Sequence, residues 1–154
     1  MSRPSRFRRT PRIHDISTDT DNPPELVAAA RQRTRWHNPV AYEGTRIARL
    51  QQQAYPDIRP VISPLDPEQA WVRARALVGQ SGWQIQHEDR EAGTIEAVAV
   101  TPLFRFRDDV VIRIRREGNG SRIDIRSASR LGISDLGTNA RRIRHFIERF
   151  SQEL

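Results

Sequence analysis

The sequence predicts an α+β fold: an antiparallel sheet of four to five strands with two helices packed on one face, in the order β-α-β-β-β-β-α. Four segments between Trp83 and Ser127 alternate apolar and polar residues with the two-residue period of half-buried strands. Two further segments, near residues 66–78 and 136–154, repeat apolar side chains every three or four positions, as amphipathic helices do. Each helix has one apolar face and each strand has one, so both helices are expected to cover the same side of the sheet, with the other side in solvent.

The elements follow in chain order. Residues 1–12 form an arginine-rich leader without periodicity, expected to be disordered. Residues 13–57 read as a proline-rich wrapping arm with short helices. In it Asn22-Pro23-Pro24 precedes ELVAAARQR, and Thr45 is placed to cap RIARLQQQ, which Pro56 stops. Helices this short do not persist alone in water, so Trp36, Tyr42 and Tyr55 are expected to pin the arm to the body. Residues 58–154 are the α+β domain, opening with Ile58–Ile62 as an edge strand.

Asp66 then reads as an N-cap, with Pro67 at the first helical position and Gln69 reaching back as in a capping box. Ala70, Trp71, Ala74, Leu77 and Val78 make the apolar face, and Gly79 and Gly82 end the helix. Trp83, Ile85 and His87 alternate with Gln84, Gln86 and Glu88. Arg90 to Gly93 turn the chain into Thr94–Thr101, where Ile95, Ala97 and Ala99 oppose Glu96, Val98 and Val100. After the break at Pro102, Val110, Ile112 and Ile114 face the helices, while Asp109, Val111, Arg113 and Arg115 face away. Glu117-Gly118-Asn119-Gly120 is a hairpin turn, because asparagine and glycine tolerate positive φ. Ile123, Ile125 and Ser127 oppose Arg122, Asp124 and Arg126. Leu136, Ala140, Ile143, Ile147, Phe150 and Leu154 then form the stripe of a C-terminal helix.

Composition narrows the function classes. Hydrophobic residues make up 36 % of the chain and charged residues 29 %, the profile of a globular protein with polar peripheral sequence. The absence of cysteine excludes disulfides, thiol nucleophiles and cysteine zinc sites. No apolar run approaches the roughly 18 residues that span a bilayer. As written the chain is expected to be cytoplasmic; a start site further upstream would make it membrane-associated or exported. Of the net charge of +7, five positive charges come from Arg3, Arg6, Arg8, Arg9 and Arg12. The remaining 21 basic residues face 19 acids, so the body is nearly neutral. The leader is therefore expected to govern weak, salt-sensitive contact with polyanions or anionic membrane. Specific nucleic-acid binding is not expected, because the sheet lacks exposed aromatics for base stacking.

Two constellations stand out. Glu96, Asp109 and Asp124 share the outward sheet face with Arg107, Arg113, Arg115, Arg122 and Arg126, which reads as a solvated, cross-paired surface or as an arginine platform for phosphate. Ser127, Ser129, Arg130, Ser134, Asp135, Asn139 and Arg142 gather at the start of the C-terminal helix, where unpaired N–H groups attract anions. Asp135 is itself a good N-cap and competes for those donors. Asp108 shares the parity of inward Val110 and needs a cationic partner there; Arg130 is expected to pair with Asp135 or Asp108. These eight residues are the candidate ligand site. His14, His37, His87 and His145 show no metal spacing, and neither a nucleophile elbow, a P-loop nor a dinucleotide fingerprint occurs. No cofactor, metal or catalytic residue is expected.

Several blocks occur together in order: IHDISTDTDNPP (Ile13–Pro24), AYPDIRP (Ala54–Pro60), Gly82-Trp83, FRFRDDVVIRI (Phe104–Ile114) and GSRIDIRSASRLGISDLGTNARRI (Gly120–Ile143). On these blocks the chain resembles the uncharacterised domain-of-unknown-function family DUF1499. The resemblance implies no settled activity and no catalytic residues. Many relatives carry apolar anchors or targeting leaders at their N-termini, where this chain has arginines.

The resulting expectation is a non-catalytic binding or assembly module with a protein partner. Its alternative is a binder of a small anionic ligand or lipid headgroup at the start of the C-terminal helix, and a third reading is a hydrolase or isomerase. A concave apolar pocket beside Asp108 and Arg130 would favour the second and third readings over the first.

Overall fold

The computed structural model describes residues 10–152, and of the expected leader only Thr10, Pro11 and Arg12 fall within them. In chain order the elements are β1 (Asp15–Ser17), α1 (Val27–Gln32), α2 (Thr45–Ala54), β2 (Val61–Ser63), α3 (Pro67–Gln80), β3 (Gln84–Asp89), β4 (Thr94–Val100), β5 (Arg107–Glu117), β6 (Gly120–Ser129) and α4 (Thr138–Ser151). They form a mixed α+β structure with one open antiparallel sheet. Its strand order is β1-β6-β5-β4-β3, and β2 pairs with the remaining length of the β6 edge. Among the described residues no helix is long and apolar enough to cross a membrane.

Local signals place the central elements. Asp66 accepts the Gln69 N–H at 2.9 Å and the Gln69 side chain returns to the Asp66 N–H, so the capping box starts α3 with Pro67 in its first turn. Gly82, at φ +74°, follows the last turn. Ile95, Ala97, Val110, Ile112, Ile114, Ile123 and Ile125 of the sheet pack with Ala70, Trp71, Ala74, Leu77 and Val78 of α3 and with Ala140, Ile143, Phe146 and Phe150 of α4. The β5–β6 hairpin closes with Glu117 opposite Gly120, and Gly118, not Asn119, takes the positive φ of +56°. Gly120 answers a second demand, since a Cβ there would lie 2.0 Å from the Ser63 carbonyl oxygen of β2.

The structure corrects several local expectations. A register shift between Ile85 and His87 breaks the alternation of β3, so Trp83 and Ile85 pack against the core while His87 is exposed. α2 is entered through Gly44 at φ +83°, without the side-chain cap expected of Thr45. α4 begins two residues after Leu136, which leaves the helical stripe and is 72 % exposed. Leu154 lies outside the described residues. Tyr42 and Tyr55 pack against the core as expected, whereas Trp36 is 75 % exposed and anchors nothing.

The arm enters the fold more deeply than wrapping implies. Residues 15–17 add a strand, and Ile13, Ile16 and Ile47 join the main core. The free edge of β1 is covered by the buried Gln51 of α2. Its amide oxygen accepts the Ser17 N–H at 3.0 Å and its amide nitrogen donates to the Ser17 carbonyl at 2.7 Å, replacing a neighbouring strand.

The second sheet face is not a solvent surface. Leu26, Ala29 and Val40 of the arm pack on Val111 and Ala128, so part of the molecule has three layers. Glu96, Asp109, Asp124 and Arg126 are all buried there, which requires partners for every charge. Glu96 accepts the N–H groups of Ala28 and Ala29 at the start of α1. Arg126 grips Asp15 through two bonds of 2.9 and 2.8 Å and donates to the carbonyls of Pro24 and Val40. Asp124 accepts from Thr18 and Arg122, while Asp19 accepts from Arg113 and Arg122. The outward charges therefore fasten the arm; of that arginine set only Arg107 and Arg115 are exposed, and Arg115 still lies 3.6 Å from both Asp19 and Asp124. This overturns both the solvated surface and the arginine platform.

Candidate functional site

The two-residue period of β5 turns Asp108 toward the helices, and the antiparallel register sets it opposite Ser129 of β6. The same period turns Ser127 and Ser129 toward the start of α4, whose first two turns carry Asn139 and Arg142. Arg142 Nη1 forms an ion pair with Asp108 Oδ2 at 2.8 Å and donates to Asn139 Oδ1 at 2.9 Å and to Ser127 Oγ at 3.2 Å. Ser127 Oγ donates to Asn139 Oδ1 at 2.6 Å, and Asn139 Nδ2 donates to Ser129 Oγ at 2.9 Å and Asp135 Oδ2 at 2.8 Å. Asp135 also accepts the N–H groups of Gly137 and Asn139, so the chain's own carboxylate occupies the donors at the start of α4. Ser134 Oγ donates to the Pro11 carbonyl at 3.2 Å.

Seven of the eight residues predicted from sequence thus meet around the strand ends and the loop before α4. Arg130 does not. Its guanidinium crosses to the far face and forks onto Asp109 at 2.9 and 2.8 Å, beside Arg33, which also binds Asp109 at 2.9 Å. The expected pairing with Asp135 or Asp108 is replaced, because Ser129 faces the helices and its neighbour Arg130 must face away.

Above this polar cluster lies a cleft of about 510 Å³, walled by the β4–β5 loop and the β6–α4 loop. Phe104, Phe106, Leu131 and Leu136 supply apolar walls, and Asp108, Ser129, Ser134 and Asp135 line its polar base. Phe104 and Phe106 stack with centroids 5.6 Å apart. Arg105 and Leu136 hold φ of +54° and +53°, a conformation non-glycine residues rarely adopt. Burial pushes the Asp108 carboxyl above its ordinary value, against the opposing pull of the Arg142 charge and a hydrogen bond from Ser129. At the base Arg142 offsets Asp108 and the helix start offsets Asp135, while Arg141 at the wall adds a cation bonded to the Leu136 carbonyl and the Thr138 hydroxyl. What the base offers a guest is hydroxyl and carboxylate oxygen beneath an apolar mouth.

Thr101, Phe104, Phe106, Leu131, Leu136, Thr138 and Arg141 also line the cleft, and none of them was among the candidate site residues read from the sequence. For Phe104, Phe106 and Leu131 the signal was a bulky apolar residue inside a loop, outside any helical or strand period. Hollows of about 580 Å³ beside α3 and α4 and about 610 Å³ beside α1 and Arg126 take none of the candidate residues into their walls. Among the described residues no group of three or more His, Asp or Glu is arranged to hold a metal ion.

No curated protein matches the chain. A family model described as "Protein of unknown function (DUF1499)" matches residues 15–150. Because that match runs from the first residue of β1 into the last turn of α4, the chain belongs to the DUF1499 family.

Proposed function

We propose that the protein is a non-catalytic binding module whose cleft takes the apolar part of a small amphiphile. The observation that carries this reading is an apolar cleft of about 510 Å³ resting on a charge-compensated polar base. That volume lies within the range of small-molecule sites, roughly 300–1,000 Å³. Arg142 is committed to Asp108, Arg130 to Asp109 on the far face and Asp135 to the helix start, and Arg141 at the wall is bonded to the Leu136 carbonyl and the Thr138 hydroxyl, so the base itself presents no free cation. The polar end of the guest is accordingly a hydrogen-bond donor, such as a hydroxyl, that meets the oxygens of Asp108, Ser129 and Ser134.

The test is a calorimetric titration with decanol and with decanoate, beside native mass spectrometry of protein isolated from its own host. Decanol binding that weakens in Phe106→Ala and Leu131→Ala supports the reading. Preference for decanoate, or for inorganic phosphate, would return the site to an anionic ligand. A second reading, acid–base chemistry on the bound molecule, draws support from the raised Asp108 beside a cleft. Turnover of the bound molecule by the parent protein that Asp108→Asn abolishes would favour the second reading, and absence of turnover in the parent favours the first.

A further inference from the structure

Of the eleven exposed large hydrophobic residues among the described ones, six lie on two neighbouring loops: Leu103, Phe104, Phe106, Leu131, Ile133 and Leu136. Leu103 is 82 % exposed and Ile133 71 %, and neither lines the cleft, so the guest proposed for it does not account for them. The loops are tied together where the Arg130 N–H donates to the Arg107 carbonyl. A third segment meets them at the same end of the sheet, through Ser134 with Pro11 and through the Asp135 N–H with the Ile13 carbonyl. The result is one apolar tip built from three chain segments.

The charge around that tip has one sign. Arg12, Arg105 and Arg107 are exposed on these segments. The acids beside them are committed: Asp108 to Arg142, Asp109 to Arg33 and Arg130, and Asp135 to backbone N–H groups of the α4 entry. In sequence, Arg3, Arg6, Arg8 and Arg9 directly precede the segment that reaches the tip at Pro11. A second copy presenting the same tip would set arginine against arginine. Protruding leucine, isoleucine and phenylalanine rimmed by arginine match a surface that is apolar beneath and anionic above.

We propose that this tip docks the protein on an anionic bilayer, with Leu103, Phe104, Ile133 and Leu136 entering the interface and Arg12, Arg105 and Arg107 on the headgroups. One shallow apolar contact or one basic patch gives only marginal attachment, whereas the two together hold a protein at the interface. The proposal does not depend on what the cleft binds.

The test is sedimentation of the full chain with phosphatidylcholine vesicles, with and without phosphatidylserine, across a salt series. Binding is expected only with phosphatidylserine and should weaken as salt rises. Leu103→Ser with Ile133→Ser, two exposed positions outside the cleft, should weaken it about tenfold or more, with an unchanged melting temperature and unchanged decanol titration. Arg105→Gln with Arg107→Gln should weaken it and flatten its salt dependence. Undiminished sedimentation of the Leu103→Ser, Ile133→Ser protein would overturn the proposal. So would binding that removal of residues 1–9 abolishes while the tip substitutions leave it intact, for the contact would then be the leader's alone. Absence of sedimentation with either vesicle, or lipid-free dimerisation lost in the Leu103→Ser, Ile133→Ser protein, would overturn it as well.

Discussion

Glu96 of β4 caps the arm helix at Ala29, accepting its N–H at 2.9 Å across 67 residues of sequence, while its second oxygen takes Ala28 at 2.8 Å. α1 spans six residues and has Leu26 at its own cap position, so nothing local satisfies its first N–H groups. The sheet supplies what the helix lacks. Glu96→Gln replaces one acceptor by a donor facing an N–H and should cost about 1–3 kcal/mol. It should also quicken tryptic cleavage at exposed Arg31 and Arg35. Unaltered cleavage would show that α1 is held by its apolar contacts alone.

Asp109 makes a sharper case, because two buried guanidiniums converge on it, Arg33 from the arm and Arg130 from the end of β6. Asp109→Asn leaves both cations without their counter-charge and should cost about 3–5 kcal/mol in a denaturant titration. Arg33→Met should cost less, since Arg130 keeps its two-bond fork on the same carboxylate. Equal losses for the two substitutions would place the stabilisation in Arg33's bonds to the Asn38 and Ala128 carbonyls instead.

What could be read in advance follows from the range over which the physics acts. The Asp66 capping box closes within four residues, and the Glu117–Gly120 hairpin within four, so each is written out locally. The strand period placed Asp108 and Asp109 on opposite faces correctly. It could not place Arg33, 76 residues from Asp109, because ion-pair partners chosen by tertiary packing leave no local pattern. β1 is three residues long, too short for its polar–apolar–polar order to read as a period; it is a strand because β6 leaves an edge at Arg126–Ala128 for it to pair with. Arg130 was legible and misassigned, since the parity that sends Ser129 inward sends Arg130 outward. Phe104 and Leu131 follow no period, so the cleft they wall was silent.

The helix side of the core has its own direct test. Ile143 of α4 is 0 % exposed and packs within the cluster shared by α3, α4 and the sheet. Ile143→Ala deletes that contact and should lower stability by about 2–5 kcal/mol. Trp83, half-buried and stacked on Phe146 at 6.3 Å, offers a fluorescence signal from the same cluster as it unfolds. An unchanged melting temperature would contradict the packing of α4 on the sheet.

Asp108 ties the cleft to pH. Burial raises its carboxyl above the ordinary 3.8, and the Arg142 charge pulls the other way. As pH rises from acid, the unfolded chain therefore loses this proton first. The contribution of Asp108 to stability is greatest when the group is protonated in both states, and it declines as pH climbs from its unfolded value through its folded one. Asp57 acts oppositely in the same acid range, because its bond to Arg144 lowers its carboxyl. Only the difference between parent and Asp108→Asn proteins isolates the effect, and that difference should shift with pH in favour of the variant as Asp108 ionises. Arg142→Gln removes the nearest cation and should push the Asp108 titration higher still, as followed by carboxyl carbon NMR. Its stability loss should reach about 3–5 kcal/mol at neutral pH, where a buried carboxylate stands unpaired, and shrink in acid, where the carboxyl is neutral. A loss independent of pH would show that Arg142 acts on the fold through Ser127 and Asn139, without Asp108.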